Sequence, residues 1–382
     1  MVNSSTRHSE IDALRGFALC GVLFSNFNSY TSQQVPPEIL DQTVGLTDDW
    51  FQQFNALFLE WKFMALFSIL FGCGFGILYK SLSDRYRHPE SIYLRRLFIL
   101  FLLGILHLSF WWFDVLRLYA VCGVMLLLFK DMKMTIILPL SFLFMFPLPF
   151  AIGFYLKQFP PGISDADVRW MYEQFKYGSL ADLVRCNWEG YYKLFVKTGS
   201  NYRDIPETLG RFLFGYWLVL GGWERKSEWI RAHAVKIILP LLIISALYFQ
   251  FLLGTINLEA WTASLLYRSG IFCTTCLYAI LFLLAFGKLG NTWFFRALTS
   301  MGKMTLTLYL LVSACMIALL YGIGGGYLGE VTITQLFLLA SLTLMTFILI
   351  APFWLQRFYF GPLEWLWKMG TYMRYIALKR SR

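Results

Sequence analysis

A chain of 382 residues that is 58% hydrophobic and 15% charged, with a mean hydropathy of +0.56, is not a soluble globular domain, because those carry roughly 25% charged residues. The net charge of +10 comes without any compact basic module, which excludes nucleic acid as a partner and makes the Lys and Arg residues topology determinants in a lipid bilayer. Seven Cys lie mostly in apolar stretches. They read as small buried hydrophobes, and the C-x-x-C spacing of Cys273 and Cys276 is formal only.

A membrane span needs about 20 mostly apolar residues. Ten stretches qualify: 13–30, 63–79, 94–112, 115–129, 133–155, 206–223, 235–254, 262–286, 302–321 and 332–355. The expected fold is therefore all-α, a polytopic membrane helical bundle of about ten transmembrane helices filling residues 1–382 as a single integral membrane domain. The first stretch carries Asp12 and Arg15 at its start and lacks a small-residue cleavage site, so it is expected to be retained as a helix. The fourth is short and follows the third almost directly; a tight hairpin and a partly re-entrant segment both remain open. Gly72 and Gly76 form a small-x-x-x-small pattern that predicts close helix packing.

Charge sets the orientation. With the N-terminus inside, the inner segments hold Arg7, Arg15, Lys80, Arg85, Arg87, Arg95, Arg96, Lys130, Lys133, Arg225, Lys226, Arg231, Lys236, Lys288, Arg296, Lys303 and the basic residues after 356. The first outer loop is acidic instead, with Glu38, Asp41, Asp48, Asp49 and Glu60. This alternation predicts N-in/C-in. Residues 156–205 then form a long extracytoplasmic loop. Ser164-Asp-Ala-Asp167 reads as a helix start, and the aromatics that follow predict one or two amphipathic helices at the outer interface. Residues 356–382 read as a cytoplasmic interfacial segment with a basic tail.

Within this apolar background, Gly104 to Tyr119 contains His107, Asp114 and Arg117 inside eleven residues. Ionisable groups in a membrane are costly and usually face a cavity or one another. The topology puts His107 in the outer third of its span, with Asp114 at the outer surface. Asn26 closes the first span at that level, and Glu60 with Lys62 opens the second. Arg211 enters the sixth span four residues after Glu207. His107 is the candidate general base. Asp114 either orients it or caps the next helix. Arg211 either stabilises developing charge or forms a buried pair with Glu207. Lys62 and Arg117 bind substrate or snorkel to the interface, and Asn26, Glu60 and Glu207 complete the candidate substrate-binding set. Four His without paired spacing predict no metal site. The glycines of Gly322–Gly329 lack the Lys-Ser/Thr of a phosphate-binding loop and read as a turn.

The order of these motifs resembles the YeiB-like family of multi-pass bacterial membrane proteins, a domain family of unknown function. The resemblance rests on Glu10-Ile-Asp12-Ala-Leu-Arg15-Gly16, Phe67-Ser-Ile-Leu-Phe-Gly72, His107 with Asp114 and Tyr119, Gly302 to Ser313, and Phe360-Gly-Pro-Leu-Glu364-Trp. It implies an integral inner membrane location in a bacterium. The Asp-x-Leu-Arg-Gly opening is also similar to that of transmembrane acyltransferases of the heparan-α-glucosaminide acetyltransferase kind, which pass an acyl group from cytoplasmic acyl-CoA to an outer-side sugar using a His. That group keeps its His just after the first span. Residues 31–60 hold none here, so the role would pass to His107.

This resemblance implies a membrane acyltransferase with acyl-CoA as donor substrate, gripped at the cytoplasmic mouth by Arg15 and Glu364, and a hydroxyl or amine acceptor at the outer side. A transporter or flippase for an anionic or lipid-like small molecule is the alternative, and a non-catalytic membrane protein a third.

Overall fold

The computed structural model describes residues 9–32, 34–40, 45, 47–156 and 163–380. Arg7, Asp41 and Arg382, used above for orientation, lie outside the described residues. Among those described, every named element is helical. In chain order these are α1 (Ser9–Ser32), α2 (Pro37–Leu40), α3 (Asp48–Phe54), α4 (Lys62–Ser83), α5 (Pro89–Leu108), α6 (Leu116–Leu126), α7 (Met134–Met145), α8 (Pro147–Leu156) and α9 (Asp165–Tyr177). The second half holds α10 (Leu180–Tyr191), α11 (Ser200–Val219), α12 (Trp223–Ala232), α13 (Ala234–Leu252), α14 (Ala260–Leu289), α15 (Trp293–Gly302), α16 (Thr305–Leu320), α17 (Ile333–Arg357) and α18 (Pro362–Tyr372).

Among the described residues, six stretches are long and apolar enough to cross a membrane: Asp48–Ser83, α5, Met134–Leu156, α13, α14 and α17. Helices α15 and α16 meet at 82° and together make a seventh candidate. Helix α6 with its following turn is apolar but shorter. Helices α1 and α11 reach 24 and 20 residues but bring charges into the bundle. Each of the ten predicted stretches overlaps a helix, with shifted limits where polar chemistry intervenes. The 94–112 stretch ends at Leu108, and residues 109–115 form a turn. The 302–321 stretch breaks at Lys303 and Met304. The 206–223 helix starts earlier, at Ser200, and carries Pro206 inside it.

Side-chain periodicity shows which faces meet lipid. On α17, Leu338, Leu342, Met345 and Leu349 are all exposed, at i, i+4, i+7 and i+11. On α5, Phe98, Leu102 and Leu106 are exposed, while Leu97, Leu100, Gly104 and His107 are buried. A water-exposed helix places polar residues on its outer face, so these apolar stripes identify a polytopic membrane bundle. Close backbone approach holds it together. A Cβ on Gly72 would lie 2.0 Å from the Phe212 carbonyl oxygen, so α4 and α11 touch as the small-residue pattern predicts.

The bundle has two ends of different character. At one, Glu10 binds Arg231 at 2.6 Å, Glu90 pairs with Lys130, and Trp367 Nε1 donates to the Arg96 carbonyl at 2.8 Å. Both described chain ends lie there; we call it the basic end. At the other, Asp48 accepts from the Ile333 and Thr334 amides, and the 321–331 turn docks on α9 through Gly322 N donating to the Phe175 carbonyl at 2.9 Å. The polar segment after residue 163 covers this lid end. Capping boxes start its helices, Ser164 with Asp167 for α9 and Ser179 with Asp182 for α10. Lys193 reaches back to Asp167 at 2.7 Å and holds its carboxyl down at about 2.

Candidate functional site

The 107–117 run folds back on itself at the lid end. Helix α5 stops just past His107, and the turn returns the chain so that Asp114 faces the helix it has just left. Gly104 makes this possible: a Cβ there would sit 2.5 Å from the Arg117 amide nitrogen and 2.9 Å from Asp114 Oδ2. Asp114 accepts hydrogen bonds from the Leu116 and Arg117 amides at 3.2 and 2.8 Å. It therefore caps α6, and its other contact orients the histidine. His107 Nδ1 lies 2.9 Å from Asp114 Oδ1. An ionised carboxylate only accepts, so Nδ1 carries a proton, and in the neutral imidazole Nε2 is the acceptor. The partner of Nε2 is the Ser313 hydroxyl on α16, at 2.9 Å.

This chain of three side chains is buried. The His107 and Asp114 side chains are 4% and 0% exposed, and Ser313 is buried. The turn places Asp114 under the lid helices and not, as the sequence suggested, at the outer surface. Trp112 N donates to Asn187 at 3.0 Å, Trp188 donates to Ser109 at 3.2 Å, and Arg117 lies over the Tyr191 ring at 3.8 Å. Arg117 is thus a lid contact.

Below the His107 site runs a cavity of about 1290 Å³. Along α1 it extends from Ile11 to Asn26, which at 1.5 Å per residue is roughly 22 Å. Its deep wall includes Phe113 and Val115, on either side of Asp114, and Tyr309, whose ring is 5.2 Å from that of His107. Its mouth is rimmed at the basic end by Lys80, Arg85 and Lys303, with Arg15, Arg96 and Lys368 just inside. Arg96 stacks on Trp367 at 3.5 Å. Burial and the Arg96 guanidinium pull the Lys368 ammonium down to about 8. Asn26, Arg15 and Glu364 all line this cavity.

Glu364 does more than line it. Its carboxylate accepts from the Leu306 and Thr307 amides at 2.7 and 3.0 Å and from the Thr307 hydroxyl at 2.5 Å. It caps the first turn of α16 from outside the helix, which fixes the helix that carries Ser313. Burial raises this carboxyl above the usual carboxylate range, opposed by those same hydrogen bonds.

The other predicted residues lie apart. Arg211 pairs with Glu207, whose second oxygen binds Arg268. No described contact joins Arg211 to His107 or Asp114, because its charge is already met within its own helix. Lys62 donates to the Ala56 carbonyl inside the π turn Asn55–Leu59 and lies 5.0 Å from the Tyr248 ring. It satisfies a backbone group that the irregular turn leaves free. Glu60 sits in the same turn, where its amide donates to the Asn55 carbonyl at 2.8 Å. Ser313 was not foreseen as a site residue. A serine in an apolar helix is unremarkable alone, and the one available signal was its place at the close of the Gly302–Ser313 motif.

Residues 218–374 match the family described as "Protein of unknown function (DUF418)", a segment that includes Ser313 and Glu364. The chain is 24% identical to "Uncharacterized protein YxaH" of Bacillus subtilis (strain 168), covering 99% of this chain and 97% of that protein. It is 26% identical to an "Uncharacterized 39.9 kDa protein in amylase 3'region" of Bacillus acidopullulyticus, with 98% and 97% covered. It is also 26% identical to "Uncharacterized protein YeiB" of Escherichia coli (strain K12), with 96% of each covered. No solved structure matches.

Proposed function

We propose that this chain, which is similar to YeiB of Escherichia coli over 96% of its length, transfers an acyl group from a cytoplasmic donor to an acceptor at the outer face. The observation that carries this reading is one cavity joining a cationic mouth to the wall of the His107–Asp114 pair. A donor such as acyl-CoA has a phosphate-rich end and an apolar end. Arg15, Arg96, Lys303 and Lys368 suit the first, and Leu97, Leu100, Leu116 and Tyr119 suit the second. His107, held in one tautomer by Asp114, serves as general base.

The reading includes a location and a topology. Ten passes with both ends inside put the basic end in the cytoplasm of a bacterium and the lid at the outer face of its inner membrane. A small molecule or headgroup with a hydroxyl or amine would be the acceptor. The test is acyl-CoA turnover and thermal stabilisation by CoA with purified protein. A folded sample showing neither overturns the reading.

A second reading has its own support. The cavity is rimmed by exposed residues at the basic end and walled at the other by Phe113, Val115 and Tyr309, the shape of an inward-facing transporter or flippase for an anionic or lipid-like substrate. Uptake into vesicles that survives His107→Ala would select it.

A further inference from the structure

We propose that Ser313 is the acyl carrier, so that transfer runs in two steps through an ester on its hydroxyl; this rests on the acyl-transfer reading above. Three observations support it. His107 Nε2 has one hydrogen-bond partner, and it is Ser313 Oγ at 2.9 Å. The opposite ring nitrogen is held by a carboxylate that also takes two backbone amides, so the acceptor lone pair is fixed toward the serine. A histidine that only joined two helices would not need its tautomer set in this way. A Ser-His-Asp chain is also the arrangement that turns an ordinary hydroxyl into a nucleophile.

Second, a buried hydroxyl stands beside the serine. Tyr30 is fully buried and its hydroxyl lies within hydrogen-bonding reach of Ser313. Next to a nucleophile, it can donate to the oxyanion of a tetrahedral intermediate. Third, the cavity wall adjoins the His107 end of this chain of groups. Tyr309, one turn before Ser313 on α16, lines the cavity and contacts the His107 ring. The proposal requires that side chain to move aside to admit the acyl group.

The steps balance. The Ser313 hydroxyl gives its proton to His107 Nε2 as Oγ bonds to the thioester carbonyl carbon. The carbon–sulfur bond breaks, and the leaving thiolate takes the proton from Nε2, which leaves a neutral ester and free CoA. An acceptor hydroxyl or amine then gives its proton to Nε2 and attacks the ester. The carbon–Oγ bond breaks, and Oγ recovers the proton.

The test uses full-length protein in lipid nanodiscs with acetyl-CoA and no added acceptor. The expected result is a burst of CoA near one per protein and an acetyl adduct on the Ser313 peptide by mass spectrometry. Both should vanish in Ser313→Ala and His107→Ala, with thermal unfolding of Ser313→Ala little changed. A fluorophosphonate probe is read in parallel, on the wild-type chain and on Tyr309→Ala, where the wall is open. Labelling at Ser313 that falls at least tenfold in His107→Ala supports the nucleophile without depending on the donor. If the probe labels Ser313 but CoA neither binds nor is released, the serine stands and the CoA-dependent reading fails. If Ser313→Ala still turns over acetyl-CoA at the wild-type rate, the serine is overturned and direct transfer through His107 remains. Absence of both adduct and label overturns the serine outright.

Discussion

Two of the buried polar clusters in this bundle differ in what they leave available for chemistry. In the first, Glu207 meets Arg211 on its own helix and Arg268 on α14. One carboxylate is shared by two guanidiniums, and the side chains are 11–15% exposed. In the second, Asp114 holds one nitrogen of His107 and a neutral serine takes the other. The first cluster is an ionic tie that binds α11 to α14. The second retains a polarised hydroxyl, a tyrosine hydroxyl beside it and a cavity against its wall. A buried charge alone therefore does not identify a site in a membrane bundle. The distinction lies in whether the cluster ends in a group that can still react.

The sharpest way to break this contrast is to remove the reactive group. His107→Ala should lower acyl-transfer turnover by about 10²- to 10⁴-fold, the usual contribution of a positioned general base, with the protein still folded. Equal activity in the variant, by CoA release, would dissolve the distinction. Glu207→Gln should do the reverse. It leaves two arginines without their carboxylate and should destabilise the fold by about 3–5 kcal/mol, read as thermal unfolding in detergent. The molecules that remain folded should keep their turnover. A Glu207→Gln protein of normal stability without activity would move that cluster into the chemistry.

The two clusters were unequally legible in the sequence. His107 and Asp114 stood out because they are close in sequence and costly in apolar surroundings, and Glu207 with Arg211 showed the i,i+4 spacing of a helical pair. Each has a distant third member, Ser313 and Arg268, that local pattern could not supply, since 206 and 61 residues separate the partners. The membrane class and the capping box at Ser164 were likewise readable from composition and spacing. The 82° break between α15 and α16 was not, although Lys303 at the start of the expected 302–321 stretch was its trace. Glu364 was expected at the cavity mouth and lines it, but its use as a cap for α16 depends on a fold that brings α18 against that helix.

That cap gives a smaller and more specific prediction. Glu364→Ala should cost about 0.5–2 kcal/mol, the range for losing a helix N-cap. Because the capped helix carries Ser313, turnover should fall further than the loss of folded protein explains. Glu364→Gln retains an acceptor oxygen and should recover part of both. If stability falls and the turnover per folded molecule does not, the cap supports the bundle without positioning the serine.

The smallest expected effect concerns the other end of the same cavity. Lys368 is held at about 8 by burial and by Arg96. It is charged below that pH and neutral above it, so a phosphate-bearing donor should bind more weakly as pH rises from 7 to 9. The expected change is a few-fold in Kd, since Lys368 is one of several cationic side chains at the mouth. Lys368→Arg should flatten the profile, because a guanidinium keeps its proton across this range. Binding of CoA that is flat in the wild-type chain would separate the cationic mouth from donor recognition. It would leave the His107–Ser313 pair as a reactive group whose substrate enters from the lid end, which a lid variant such as Asn187→Ala, freeing the Trp112 amide, would then expose as faster turnover.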